Sequence, residues 1–184
     1  MNTHKKARLC QQQRGVYAVE FAAAFVVFFL ILYALLTFGM VFAAQQTLNF
    51  AAEDAARTAL RWQSGDEEES LSQRMQAARQ RAADLSGWVA RIAGPGNVQV
   101  QVCPRGVRAQ QVPPVGGHDA LCQHAPLPTA QYPQNAIEVL MRYAYRDGPL
   151  VPMLGPDTVF GVLVPDALYG RALVDLQIGL VQVD

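Results

Sequence analysis

The spacing of hydrophobic and polar positions changes character three times along this chain. From Phe21 to Ala44 apolar residues run for 24 positions without a charge, interrupted only by Thr37 and Gly39. About 20 such residues cross a bilayer as a helix. From Gln45 to Arg61 the composition shifts to Ala, Leu, Glu and Arg with no Gly or Pro. Helix propensity therefore continues past the apolar run and predicts one long helix from about Val16 to Trp62. Ala51, Ala52, Ala55, Ala56 and Ala59 line its second half. Side chains that small either admit a neighbouring backbone or simply reflect helix propensity.

A second helix is signalled by Ser64-Gly65-Asp66 and the acids Glu67, Glu68 and Glu69, which supply a cap and complement the helix dipole. Its apolar positions Leu71, Met75, Ala78, Ala82, Leu85, Val89 and Ile92 follow a 4-3 spacing, and Gly94-Pro95-Gly96 stops it. That stripe fits a helix packed on its own domain, with a dimeric coiled coil as the alternative. Beyond the breaker the period becomes two. Val98, Val100 and Val102 alternate with glutamines; Ile137, Val139, Met141, Tyr143 and Tyr145 alternate with Glu138, Leu140, Arg142, Ala144 and Arg146; Val174 to Leu180 repeats the pattern. Three strands, each with one buried face, are expected. The apolar, Pro- and Gly-punctuated connection from Gly148 to Gly170 has no period that assigns it; a short helix and an exposed contact surface both stay open. Helices followed by strands give an α+β class, a small antiparallel sheet of about three strands packed on helix. The expected parts are a basic leader (1–15), an N-terminal helix (16–62) with its membrane segment at 21–44, and an exported α+β domain (63–184).

Charge sharpens that division. The net charge is zero, yet Lys5, Lys6, Arg8 and Arg14 stand without an acid in the leader, and Glu53 and Asp54 follow the apolar run. Positive charge before the span and acid after it place the N-terminus in the cytoplasm and the C-terminal domain outside. A cleaved secretory signal is the rival, but its apolar core would be only about 7 to 15 residues. A nucleic-acid binder would concentrate Lys and Arg on its folded domain, and here the balance there is acidic, so no nucleic-acid partner is expected.

Of three cysteines, Cys10 lies before the membrane segment, whereas Cys103 and Cys122 lie in the exported domain, where oxidation is permitted. A disulfide between those two would close a Pro- and Gly-rich loop and contribute roughly 3 kcal/mol. The alternative is zinc held by Cys103, His118, Cys122 and His124, although no Cys-x-x-Cys pair is present. No catalytic motif appears: Gly-x-Ser-x-Gly, His-Glu-x-x-His and a phosphate-cradling loop are all missing. Neither an enzyme activity nor a cofactor is expected. Tyr143, Tyr145 and Arg142 could make a binding patch, or the tyrosines could belong to the buried face of their strand.

One residue in the first third does not fit a plain anchor. Glu20 stands inside the start of the apolar segment, where a carboxylate costs at least a few kcal/mol and so implies a partner or a snorkelling headgroup contact. It belongs to the junction Arg14-Gly15-Val16-Tyr17-Ala18-Val19-Glu20-Phe21, which a basic leader precedes and an Ala-rich stretch ending Ala51-Ala52-Glu53-Asp54-Ala55-Ala56-Arg57 follows. That order resembles the type IV prepilin class, and within it the TadE-like pseudopilins of tight-adherence (Flp) pilus systems.

The resemblance implies a bond cut by prepilin peptidase between Gly15 and Val16 on the cytoplasmic face. It also implies an assembly and recognition role for Glu20 and Phe21. Phe in place of the usual Tyr, and a sizeable soluble domain, point to the minor TadE or TadF type. Physics agrees with it: cleavage would expose a cationic amine on Val16, and the carboxylate of Glu20 could lie near that amine on a staggered neighbour, each relieving the other's desolvation. The resemblance implies an inner-membrane minor pilin or pseudopilin serving pilus assembly, adherence and biofilm formation. Its partners would be the peptidase, other Tad pseudopilins, the major Flp pilin, the inner-membrane platform and the membrane itself. The rival from another class is an uncleaved, signal-anchored periplasmic binding protein.

Overall fold

The computed structural model describes residues 9–61, 67–106, 112–123, 135–152 and 164–176. By its internal contacts the chain divides into two units, Met1–Met40 and Val41–Asp184. The described residues of the first, 9–40, are all helix. Helix α1 (Leu9–Ala59) starts before the expected Val16, so the end of the leader is helical as well. Between Tyr17 and Met40 no side chain is buried: phenylalanines, leucines and valines are displayed in every direction. An all-round apolar helix in water would be unstable, and this one is long and apolar enough to span a bilayer.

The second unit begins with the rest of α1, where one side becomes core. Ala44, Leu48, Ala51, Ala52, Ala55, Ala56 and Ala59 are buried, a helical stripe of nearly all alanines. The helix closes with Leu60 and Arg61 donating to the carbonyls of Arg57 and Thr58, the tighter i→i−3 pattern common at helix ends. Helix α2 (Glu67–Leu85) and helix α3 (Gly87–Ala93) replace the single second helix that the pattern predicts. Between them Ser86 has φ −87° and ψ 2°, outside the helical well, and its hydroxyl donates to the Ala82 carbonyl at 2.8 Å. A Ser-Gly pair is a common cause of such a kink.

The kink changes which residues face inward. The buried stripe runs Leu71, Met75, Ala78, Ala82, Ser86, Val89 and Ala93, in steps of four, three, four, four, three and four residues. Ile92, expected in the core, is instead 52% exposed. That spacing is the straight-helix period of about 3.6 rather than the 3.5 of a left-handed coiled coil, so the helices serve their own domain. Gly94 and Gly96, both with φ near +90°, then reverse the chain, and the Asn97 amide caps the Ala93 carbonyl.

Three strands form one antiparallel sheet in the order β1 (Val98–Gly106), β2 (Asn135–Tyr143), β3 (Leu168–Asp175). Cys103 opposes Glu138, and Glu138 opposes Leu173. The fold is therefore α+β, as its pattern predicts, with the third strand displaced. That strand was expected over 174–180 but starts at Leu168, inside the unassigned connection, and residues 177–180 lie outside those described. The alternation misled because β3 places Gly170 and Ala172 on its inner face and Tyr169 and Leu173 on its outer one.

One sheet face is apolar: Val102, Ile137, Val139, Met141, Tyr143 and Leu168 are buried on it. Helix α1 lies so close to this face that a side chain at Gly170 would meet the Leu48 carbonyl oxygen at 2.5 Å. Tyr143 and Tyr145 are both buried at its end, their rings edge-to-face with centroids 5.5 Å apart. The Tyr143 hydroxyl donates to the Gly148 carbonyl, and burial together with neighbouring Tyr145 pushes its pKa up to about 12. A core tyrosine pair, rather than a ligand patch, is what these residues make.

Candidate functional site

Gly15 and Val16 lie within the helical backbone of α1. One turn further on, Glu20 projects from the exposed surface, and Phe21 is 72% exposed with its ring stacked on that of Phe25, centroids 6.2 Å apart. The i, i+4 spacing of those rings is what brings them together. Among the residues whose side chains are described, from Tyr17 onward, no ion pair to Glu20 is present. A carboxylate set at the start of an apolar helix is costly there and marks a site for a partner.

The second sheet face carries the domain's polar chemistry. Gln101, Cys103 and Arg105 of β1 lie on it beside Glu138 of β2 and Arg171 of β3, because a two-residue period puts alternate positions on one side. Cys103 and Cys122 are joined as a disulfide with Cα atoms 5.8 Å apart. The bond consumes both thiolates that the zinc alternative requires, which removes that alternative; His124 lies outside the described residues. The bridge draws residues 112–123, including the short helix α4 (Asp119–Gln123), over β1. Gln101 stitches this cover down, its amide oxygen accepting from the His118 N–H at 2.9 Å and its amide nitrogen donating to Asp119 at 3.3 Å. Val115 also pairs with Val102 in both directions and covers part of the β1 edge.

Under that cover lies the residue that alternation misplaces. Glu138 should face solvent with Leu140 and Arg142, yet its side chain is 0% exposed. Arg105 Nε donates to its Oε2 at 2.6 Å, and Arg171 Nε donates to its Oε1. A second arginine nitrogen carries the link onward, Arg105 Nη1 donating to the Cys122 carbonyl at 2.9 Å. Both carboxylate oxygens are thus held by guanidinium groups from the flanking strands, which is what makes a buried charge tolerable. The cluster ties all three strands to the disulfide loop and is structural. Nothing in a single sequence pairs Glu138 with two arginines more than thirty residues away on either side, because the register that aligns them is a tertiary property.

The remaining binding suggestion fails on geometry. Tyr143 and Tyr145 are buried, and Arg142 reaches Gln99 across the strands at 3.5 Å, so no Tyr and Arg patch faces solvent.

Comparison with known proteins bears on the N-terminal helix. No curated protein matches the chain, and no solved structure does. A family model described as TadE-like protein matches residues 15–57. The match opens at Gly15, takes in Glu20 and the exposed apolar stretch, and closes on the last turn of α1 at Arg57. The chain is thus similar to the TadE-like family over residues 15–57, the stretch that makes up most of its N-terminal helix.

Proposed function

We propose that this protein is a minor pilin or pseudopilin of a Tad/Flp pilus system, cut by prepilin peptidase between Gly15 and Val16, and not an enzyme. The observation that carries the reading is the TadE-like match that begins at Gly15 and coincides with a helix whose apolar side chains are uncovered. A single apolar N-terminal helix fits a single-pass membrane anchor. The reading adds an inner-membrane location, with the leader in the cytoplasm and residues 63–184 in the periplasm. The disulfide between Cys103 and Cys122 supports an oxidising compartment for that domain.

In this reading the helix packs against other pilin helices and the assembly platform. Cleavage would leave an ammonium on Val16 and the Glu20 carboxylate one turn along, and in a bundle of staggered helices the two charges of neighbouring subunits pair. Water is scarce there, so each charge offsets much of the other's desolvation. Glu20 then sets axial register, and Phe21 contributes to recognition at the junction. The decisive measurement is the N-terminal sequence and intact mass of the protein from cells with and without the peptidase. A start at Val16 only when the peptidase is present is expected; retention of the leader in both would overturn the pilin reading and leave an anchored periplasmic binding protein.

A further inference from the structure

The cover over β1 is fastened differently from the rest of the second unit. The apolar core lies on the opposite sheet face, where α1 approaches Gly170. Of residues 112–123 only Val112 is buried, and α4 buries none of its side chains. Among the described residues, what seats the cover is polar and covalent. Gln101 holds the His118 N–H and Asp119, and Val115 exchanges two backbone hydrogen bonds with Val102, each 2.9 Å long. Arg105 Nη1 reaches the Cys122 carbonyl, and the disulfide closes the loop. A segment with few buried apolar contacts opens at a lower free energy than the core it lies on. The bridge limits how far such a segment can stray.

The two sulfurs of that bridge are not equally reachable. Cys103 is 0% exposed, whereas Cys122 is half-buried. A thiolate opens a disulfide by attacking one sulfur and expelling the other, so access selects Cys122 as the sulfur attacked and Cys103 as the leaving group. The cover also fits only because residue 116 has no side chain. Gly116 has φ +149°, and a Cβ there would meet the Gln101 amide oxygen and, at 2.5 Å, the Val100 carbonyl oxygen. Lifting the cover would not strip the charge beneath it. Both guanidinium groups that hold Glu138 come from strands of the sheet, Arg105 from β1 and Arg171 from β3.

We propose that Cys122 is a site of thiol–disulfide exchange, at which a dithiol reductant releases the cover from β1 while the sheet beneath stays folded. The reductant's thiolate bonds to Cys122 Sγ, the Cys103–Cys122 bond breaks, and Cys103 leaves as a thiolate that takes up a proton. The reductant's second thiol then displaces Cys122 from the mixed disulfide. Two electrons and two protons have passed to the protein, and the dithiol has become a disulfide. The cover has lost its tether, and the N–H and C=O of Val102 exchange Val115 for water. The inference does not depend on leader cleavage or on the pilus reading.

The test is hydrogen exchange, read by mass spectrometry, on the full chain in an uncharged detergent before and after dithiothreitol. Reducing the folded protein avoids any failure of a cysteine variant to fold. Amides of 112–123 and of Val102 should lose protection by about tenfold or more, while those of β2 and of α1 between Ala44 and Ala59 keep theirs. Protection lost throughout the unit, or lost nowhere, would overturn the proposal. Glutathione, a monothiol, should be trapped by acid as a mixed disulfide on Cys122, and an adduct on Cys103 would be equally fatal. Gly116→Ala should be reduced by dithiothreitol about fivefold faster or more, with β2 protection unchanged, because the added methyl lifts the cover. A rate equal to that of wild type would mean that the cover does not guard the bridge.

Discussion

Helix α1 is one continuous element with two different surfaces. Between Tyr17 and Met40 large apolar side chains point outward in all directions, whereas between Ala44 and Ala59 the buried side is six alanines and Leu48 and the other side is mixed. The backbone geometry is the same; what differs is where the apolar atoms are and how large they are. Large side chains displayed all round have no protein surface to fit and suit a fluid hydrocarbon. Small side chains on one stripe let a solid neighbour approach, and the sheet does so at Gly170 against the Leu48 backbone. A helix can therefore record its surroundings in side-chain volume as much as in hydrophobicity.

The largest effect should come from the same substitution made in each half. Leu48→Ala removes a fully buried side chain from the second unit and should lower its unfolding free energy by about 2 to 5 kcal/mol. Leu32→Ala, at a position exposed to whatever surrounds the first unit, should leave that value unchanged. Denaturant titration of the full chain in detergent would check both. Trp88 is a suitable fluorescent reporter, since its indole N–H donates to Thr47 of α1 at 3.2 Å. Equal losses from the two substitutions would abolish the distinction between the halves. Gly170→Ala should rank next, at about 1 to 3 kcal/mol, because the added methyl meets a helix carbonyl rather than a flexible side chain. Unchanged stability in that variant would mean that α1 does not sit so close to β3.

These halves were not equally legible. The membrane-length helix, the second helical region and two of the strands follow from local period, since a helix apolar all round and a strand with one wet face leave their mark on consecutive residues. The TadE-like stretch that opens at Gly15 was legible for the same reason, its junction residues lying within seven consecutive positions. Glu138 was not, because its arginines come from other strands and the cover above it is held by a disulfide loop. Ile92 was misplaced by a one-residue kink at Ser86, and β3 was hidden because Gly170 trades hydrophobic contrast for closeness to the helix. Where neighbours in space are far apart in sequence, alternation reports the average strand and not the one present.

The smallest effect on stability should come from the uncovered side of the second half. Phe50 is 60% exposed there, flanked by Asn49 and Glu53 rather than by core. Phe50→Ser should change the unfolding free energy by no more than about 0.5 kcal/mol, since Phe and Ser have similar helix propensities and no cavity forms. Such a residue contributes little to the isolated fold, so its aromatic surface gains a role only when another molecule covers it. If the pilus reading holds, the same variant should reduce incorporation into assembled complexes while its denaturation curve overlays wild type. A denaturation curve shifted by more than that small amount would place Phe50 in the core of the unit, and the contrast between the buried and open sides of α1 would then have been drawn in the wrong place.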